Sequence, residues 1–212
     1  MSQLKEEARM KYFGPVGAVW LIVAAAALSA QAAGRPGVDP NWPCQQPKVA
    51  EFPLASVWDG PAIDTKATGW RDDPDIADLV AKMSQRRVPI ADVQAAVAKL
   101  IASAGPGAKD KLKTAFGAAF EELTRQRAEI ISGLDRFGRK QREMAERIRA
   151  ENEGAHQAAT PGAASDDAAL QKLQWDLRVY NERRQTISYV CEAPQAIEAR
   201  IGALVKIVRP AL

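Results

Sequence analysis

Phe116-Gly-Ala-Ala-Phe120-Glu-Glu-Leu123-Thr-Arg-Gln-Arg127-Ala-Glu-Ile130-Ile-Ser-Gly-Leu134-Asp-Arg-Phe137-Gly-Arg-Lys-Gln141-Arg-Glu-Met144-Ala-Glu-Arg-Ile148 is the stretch that decides the fold. Phe116, Leu123, Ile130, Phe137 and Met144 recur every seven residues. Phe120, Leu134 and Ile148 fall four after members of that set, and Arg127 and Gln141 take the two places left. An a/d stripe sustained this long is the signature of a helix that pairs with another helix along its length. No proline interrupts it between Gly107 and Gly154. A helix over 108–153 is therefore expected, roughly 70 Å long at the usual rise per residue.

The flanks of this helix extend the pattern. Residues 154–165, with His156 and the Thr160-Pro161-Gly162 run, read as a hairpin turn, and Ser165 caps a second long helix over 166–209. Leu170, Leu173, Leu177, Tyr180, Ile187, Val190, Ile197, Ile201, Leu204 and Val208 alternate by three and four along it. Pro194 should kink it or split it just after Cys191. Neither stripe is buried by its own helix, so the expected fold is all-α, a long antiparallel helical hairpin paired as a coiled coil. Ile131 falls off the stripe, and its exposure would favour a structural or chaperone role over an enzymatic one. Two short helices over 75–104, one started by Asp73-Pro74-Asp75 and one carrying Val93, Val97, Leu100 and Ile101, are expected to thicken the base of the hairpin.

Residues 33–74 show no helical period, yet they carry Trp42, Trp58 and Trp70. A free tail gains nothing from three large apolar faces, so this segment reads as an extended strap laid over the helices. Residues 1–32 read as a signal peptide: a short basic start, an apolar run over 12–28, and Ala30-Gln31-Ala32 where a signal peptidase cuts. Export to the periplasm is the expectation, and the alternative is an inner-membrane anchor through 12–28. Membrane contact is expected only if that segment stays uncleaved.

Composition narrows the function. The leader's three basic and two acidic residues account for +1 of the chain's +3, leaving the mature protein near +2, a balance that argues against nucleic-acid binding. Cys44 and Cys191 are the only cysteines, and an even pair in an oxidising compartment reads first as a disulfide, which would fasten the strap to the second long helix. Asp72, Asp73, Asp75 and Asp78 lack the spacing of a calcium loop and read as helix-capping residues. No phosphate loop, nucleophile elbow, Cys-x-x-Cys or haem-attachment motif is present, so the sequence points to no catalytic residues, no metal and no cofactor. Between Arg125 and Arg149 stand eight basic and four acidic residues. Arg136, Arg139, Lys140 and Arg142, with Trp42, Trp58 and Trp70, form the candidate contact surface. The basic stretch itself reads first as a solvated helix face with ion pairs to its neighbour, and contact with anionic lipid headgroups, lipopolysaccharide or an acidic partner is the other reading. Gly133 and Gly138, inside the helix, suggest a hinge or the close approach of another segment.

The strap carries a resemblance. Asn41-Trp42-Pro43-Cys44-Gln45, Pro47-Lys48-Val49 and Val57-Trp58-Asp59-Gly60-Pro61 resemble the N-terminal signature of a group of small uncharacterised exported proteins of proteobacteria. The resemblance covers residues 41–61 and implies export but no activity. The expected architecture is also similar to periplasmic holdase chaperones of the Skp type, whose basic helical hairpins hold unfolded membrane proteins. Those proteins add a β-strand body for trimerisation, and no strand pattern is present here. The expected function is a non-enzymatic structural or adaptor protein that presents its hairpin to another envelope protein. The alternative is a holdase-type chaperone, and self-association into a homo-oligomer stays open.

Overall fold

The computed structural model of the protein describes residues 39–158 and 167–212. The signal peptide expected over 1–32 and the central part of the expected turn lie outside these residues. Among the described residues every regular element is helical.

Helix α1 (Pro74–Ser84) starts where Asp73 accepts hydrogen bonds from the backbone N–H groups of Asp75 and Ile76. Of the acidic run Asp73 is the cap, paired with Lys111, while Asp75 stands in the first turn and Asp78 pairs with Lys82. Helix α2 (Ile90–Ser103) follows Pro89, and its face of Val93, Val97 and Leu100 is buried while Ile101 stays exposed. Helix α3 (Ala108–Ala158) is 51 residues long, about 75 Å. It runs past the boundary expected at 153, and His156 sits in its last turn rather than in a loop. Nothing before Pro161 removes a backbone donor, and one exposed glycine at 154 is not enough to end a helix. Helix α4 (Asp167–Cys191) and helix α5 (Ala193–Val208) divide the second long segment, with Pro194 in the first turn of α5. The split falls just after Cys191 because proline fits a first helical turn and has no N–H for an interior one.

The described residues form a thick base and a thin arm. At the base, Ile76, Leu79 and Met83 of α1 share one core with Val93 and Val97 of α2, Leu112, Phe116 and Leu123 of α3, and Ile197, Ile201 and Leu204 of α5. Arg200 is buried in this core and donates to the carbonyls of Lys82, Met83 and Val88 at 2.7, 2.6 and 2.9 Å. Its positive charge thus meets the unpaired C-terminal carbonyls and negative dipole end of α1.

Beyond the base α4 lies along α3. Gln141 donates to the Tyr180 carbonyl, Arg147 pairs with Asp176, and Glu151 with Lys172, so partner numbers fall on α4 as they rise on α3. The stripe expected on the second segment is buried only where other layers exist. Ile197, Ile201, Leu204 and Val208 are enclosed at the base, whereas of the stripe residues on α4 only Leu173 is buried, and Leu170, Leu177 and Val190 are exposed. Two helices side by side cannot enclose a stripe from every direction, and the short helices reach only the base.

Candidate interaction surface

The strap descends along one flank of α3. Arg142 donates to the Pro40 carbonyl at 2.8 Å, and the Asn41 carbonyl rests on Gly138. Cys44 and Cys191 form a disulfide with Cα atoms 5.6 Å apart, and the Gln46 amide donates to the Cys191 carbonyl beside it. Lys48 bridges Asp39 of the strap at 2.9 Å and Asp135 of α3 at 2.7 Å. Its hydrogen bonds, to Asp135 and then Asp39, raise the Lys48 pKa, and the Lys48 hydrogen bond followed by the Asn41 amide lowers that of Asp39. Lower down, the Asp64 carbonyl rests on Gly117. At the foot, Asp59 accepts two hydrogen bonds from Arg209 at 2.8 and 2.9 Å.

Arg127 explains the charged residue in the apolar stripe. Only 3% exposed, it donates to Glu198 of α5 at 2.7 Å and to the strap carbonyls of Val49 and Ala50 at 2.8 and 3.3 Å, and its guanidinium lies over the Phe52 ring. One planar donor set thereby joins α3, α5 and the strap where the base gives way to the arm. Ile131, off the stripe, is buried here, so the exposure that would have favoured a structural or chaperone role is not found at this position. It lines a crevice of about 200 Å³ with Trp42, Pro47 and Val49, so the strap supplies a face that the α3–α4 pair alone would leave open.

The tryptophans attach the strap. Trp58 stacks on Phe116 with ring centroids 4.9 Å apart and donates to the Pro61 carbonyl, and Gly60 lets the chain fold closely over its indole. Trp70 packs against the base core with the Arg71 guanidinium 4.0 Å from its ring centroid. Trp42 donates to Gln46, and Lys48 lies near its ring. All three are half-buried, so what they offer outside is partial.

The basic stretch divides in the same way. Arg142 is bound to the strap, and Arg139 lies close enough to contribute to lowering the Asp39 pKa, behind the Lys48 and Asn41 hydrogen bonds. Arg136 donates to Ser132, and Lys140 has no ion pair among the described residues; both are exposed. The larger apolar exposure was not singled out in the sequence. On α4, Trp175 is 61% and Tyr189 76% exposed, and Val190 flanks an apolar groove between α3 and α4 with Ile130, Gly133 and Phe137 on its other wall. Trp175 and Tyr189 fall outside the stripe, which is the signal that could have marked them: large aromatics on a face expected to be solvated.

Among the described residues no cluster of His, Cys, Asp and Glu could hold a metal ion, and no helix is long and apolar enough to cross a membrane. No protein-family model, curated protein or solved structure matches this chain.

Proposed function

We propose that the protein is an exported, non-enzymatic adaptor of the cell envelope, whose α3–α4 arm is an antiparallel coiled-coil hairpin that offers a surface to another envelope protein. The observation that carries this reading is the exposed apolar set on α4, Leu170, Trp175, Leu177, Tyr189 and Val190, on an arm whose base is well packed. Exposed aromatic side chains on a preformed rigid element are favourable anchors, because little conformational entropy is lost when they dock. The disulfide fits an oxidising compartment, and it fastens the strap to the last residue of α4.

The test is photocrosslinking in intact cells, with a photoreactive residue in place of Trp175 or Tyr189. The adaptor reading expects one or a few discrete adducts, identified by mass spectrometry. Holdase activity is the second reading, favoured by the open apolar groove beside basic residues. It expects a broad ladder of adducts and suppressed aggregation of a urea-unfolded outer-membrane protein. No adduct from either position would remove both readings.

A further inference from the structure

Three glycines lie in the part of α3 that carries the stripe: Gly117, Gly133 and Gly138. Two have an occupant, the Asp64 carbonyl on Gly117 and the Asn41 carbonyl on Gly138. The third has none. A Cβ at 133 would meet only the Arg136 Nη2, at 3.8 Å. Glycine inside a helix costs about 1 kcal/mol relative to alanine, and at 133 no close contact among the described residues recovers that cost.

Gly133 opens into the apolar groove of about 320 Å³ between Ile130 and Phe137 of α3 and Thr186, Ile187 and Val190 of α4. This groove continues an interface that exists lower down. Gly133 stands on the heptad line of Leu112 and Ala119, and Ile130 and Phe137 on that of Phe116 and Leu123. In the base those lines are enclosed in the core shared with the helices α1 and α2. In the arm the strap occupies the other flank, and among the described residues no element lines the groove besides α3 and α4. A surface patterned to receive a helix thus continues beyond the last helix that covers it.

The rim states the charge of the occupant. Arg136 reaches over Gly133, Lys140 follows Phe137 by three residues, and Arg183 precedes Ile187 by four, so all three border the groove. Lys140 and Arg183 have no ion pair among the described residues, and Arg136 bonds only the neutral Ser132 hydroxyl. Of the nearby acids, Glu129 is engaged by Arg125 and Asp135 by Lys48, Glu182 lies about 100° further round α4 than Arg183, and Glu143 lies beyond the groove, six residues past Phe137.

We infer that the groove seats an amphipathic helix of a partner protein, its apolar stripe against Ile130, Gly133, Phe137 and Val190 and its acidic flanks against Arg136, Lys140 and Arg183. The inference rests on the adaptor reading and adds the chemistry of the partner. A second copy of this chain fits less well, since it would bring like charges together at both rims.

The probe is a synthetic helical peptide about six turns long, with leucine and alanine on one face and glutamate beside it, compared with the same peptide carrying lysine for glutamate. Binding to the mature chain is read by fluorescence anisotropy. The glutamate peptide is expected to bind at least about tenfold more tightly, with the margin narrowing as salt is raised. Gly133→Leu fills the groove from a position with no close neighbour, so it should fold with an undiminished Tm and weaken binding at least about tenfold. Val190→Asp, at an exposed site on the other helix, should repeat that loss. Equal affinity for the two peptides, no binding of either, or binding untouched by Gly133→Leu overturns the inference. So does a concentration-dependent dimer that Gly133→Leu abolishes, since a second copy is then the occupant. Adducts from position 175 formed equally with and without Gly133→Leu remove the groove and leave the adaptor reading standing. Absence of adducts in both removes the adaptor reading as well.

Discussion

The carbonyl oxygen of Asn41 occupies the space where any residue but glycine at position 138 would place its Cβ. The same relation holds between Asp64 and Gly117, and together they make α3 a track for the strap backbone. Gly138→Ala would gain about 1 kcal/mol of helix propensity and lose more by lifting the strap away from α3. Its Tm is expected to fall, and exchange of amides around residues 41–48 to accelerate. Gly133→Ala, with open space at its Cβ, should raise Tm instead. The opposite signs at two glycines five residues apart are the readout; a rise in both would mean that the strap does not rest on α3.

Cys44–Cys191 closes a segment of 147 residues. On the chain-entropy account a loop of that length contributes about 5 kcal/mol, less any strain in the folded state. Cys44→Ser with Cys191→Ser is expected to lower stability by several kcal/mol while leaving far-ultraviolet circular dichroism nearly unchanged, because the helices do not depend on the strap for their hydrogen bonds. Thiol trapping of freshly released protein should find no free thiol. Two trappable thiols, or a reducible dimer on a non-reducing gel, would contradict the intrachain bond.

Arg127 is predicted to be among the most sensitive positions in the chain. Arg127→Met keeps much of the side-chain volume but leaves Glu198 and two strap carbonyls without their donor, at a cost of about 3 kcal/mol. Denaturant unfolding measures it. A double variant with Glu198→Gln should recover part of the loss, since the stranded charge is then gone.

Leu134→Asp and Ile187→Asp separate the two walls of the arm. Leu134 is 1% exposed, so a carboxylate there loses its hydration and should cost several kcal/mol, whereas Ile187 is only half-buried and should cost less. Thermal melts followed by circular dichroism should show partial loss of helicity from the arm before the base unfolds. Equal and small effects would mean that the stripe is not where α3 and α4 meet.

Stability should be flat through the neutral range and fall at both ends. Hydrogen bonds from Lys48 to Asp39 and from Lys111 to Asp73 hold those carboxyls below the ordinary aspartate range. Groups lowered on folding stabilise above their unfolded pKa and lose that contribution as pH falls through the folded value. Lys48 and Lys111 are raised above 10.5 by Asp135 and Asp73 in turn, so their contribution is complete below that pH and is lost as pH rises through the folded values. Tm measured against pH should show both limbs, and Lys48→Met should make both shallower. Unchanged limbs would exclude the strap ion pairs as their source.

Local signals along the sequence settle the helices, because the seven-residue spacing, the Asp73 cap and the Pro194 break are each written within a few residues of one another. The paired cysteines in an otherwise cysteine-free chain make the staple legible too. The course of the strap was not legible. Its contacts join residues far apart in sequence, Lys48 with Asp135, Arg127 with Val49 and Glu198, and Asn41 with Gly138. None of these has a period, and a glycine in a helix looks the same in sequence whether its space is filled or empty. Tertiary structure alone decided that Arg127 is a buried junction, that Ile131 is covered, and that Leu177 and Val190 stay open on a stripe drawn like the enclosed one below. The physical reason is that periodicity marks which face of a helix could be buried, while burial depends on how many layers reach it.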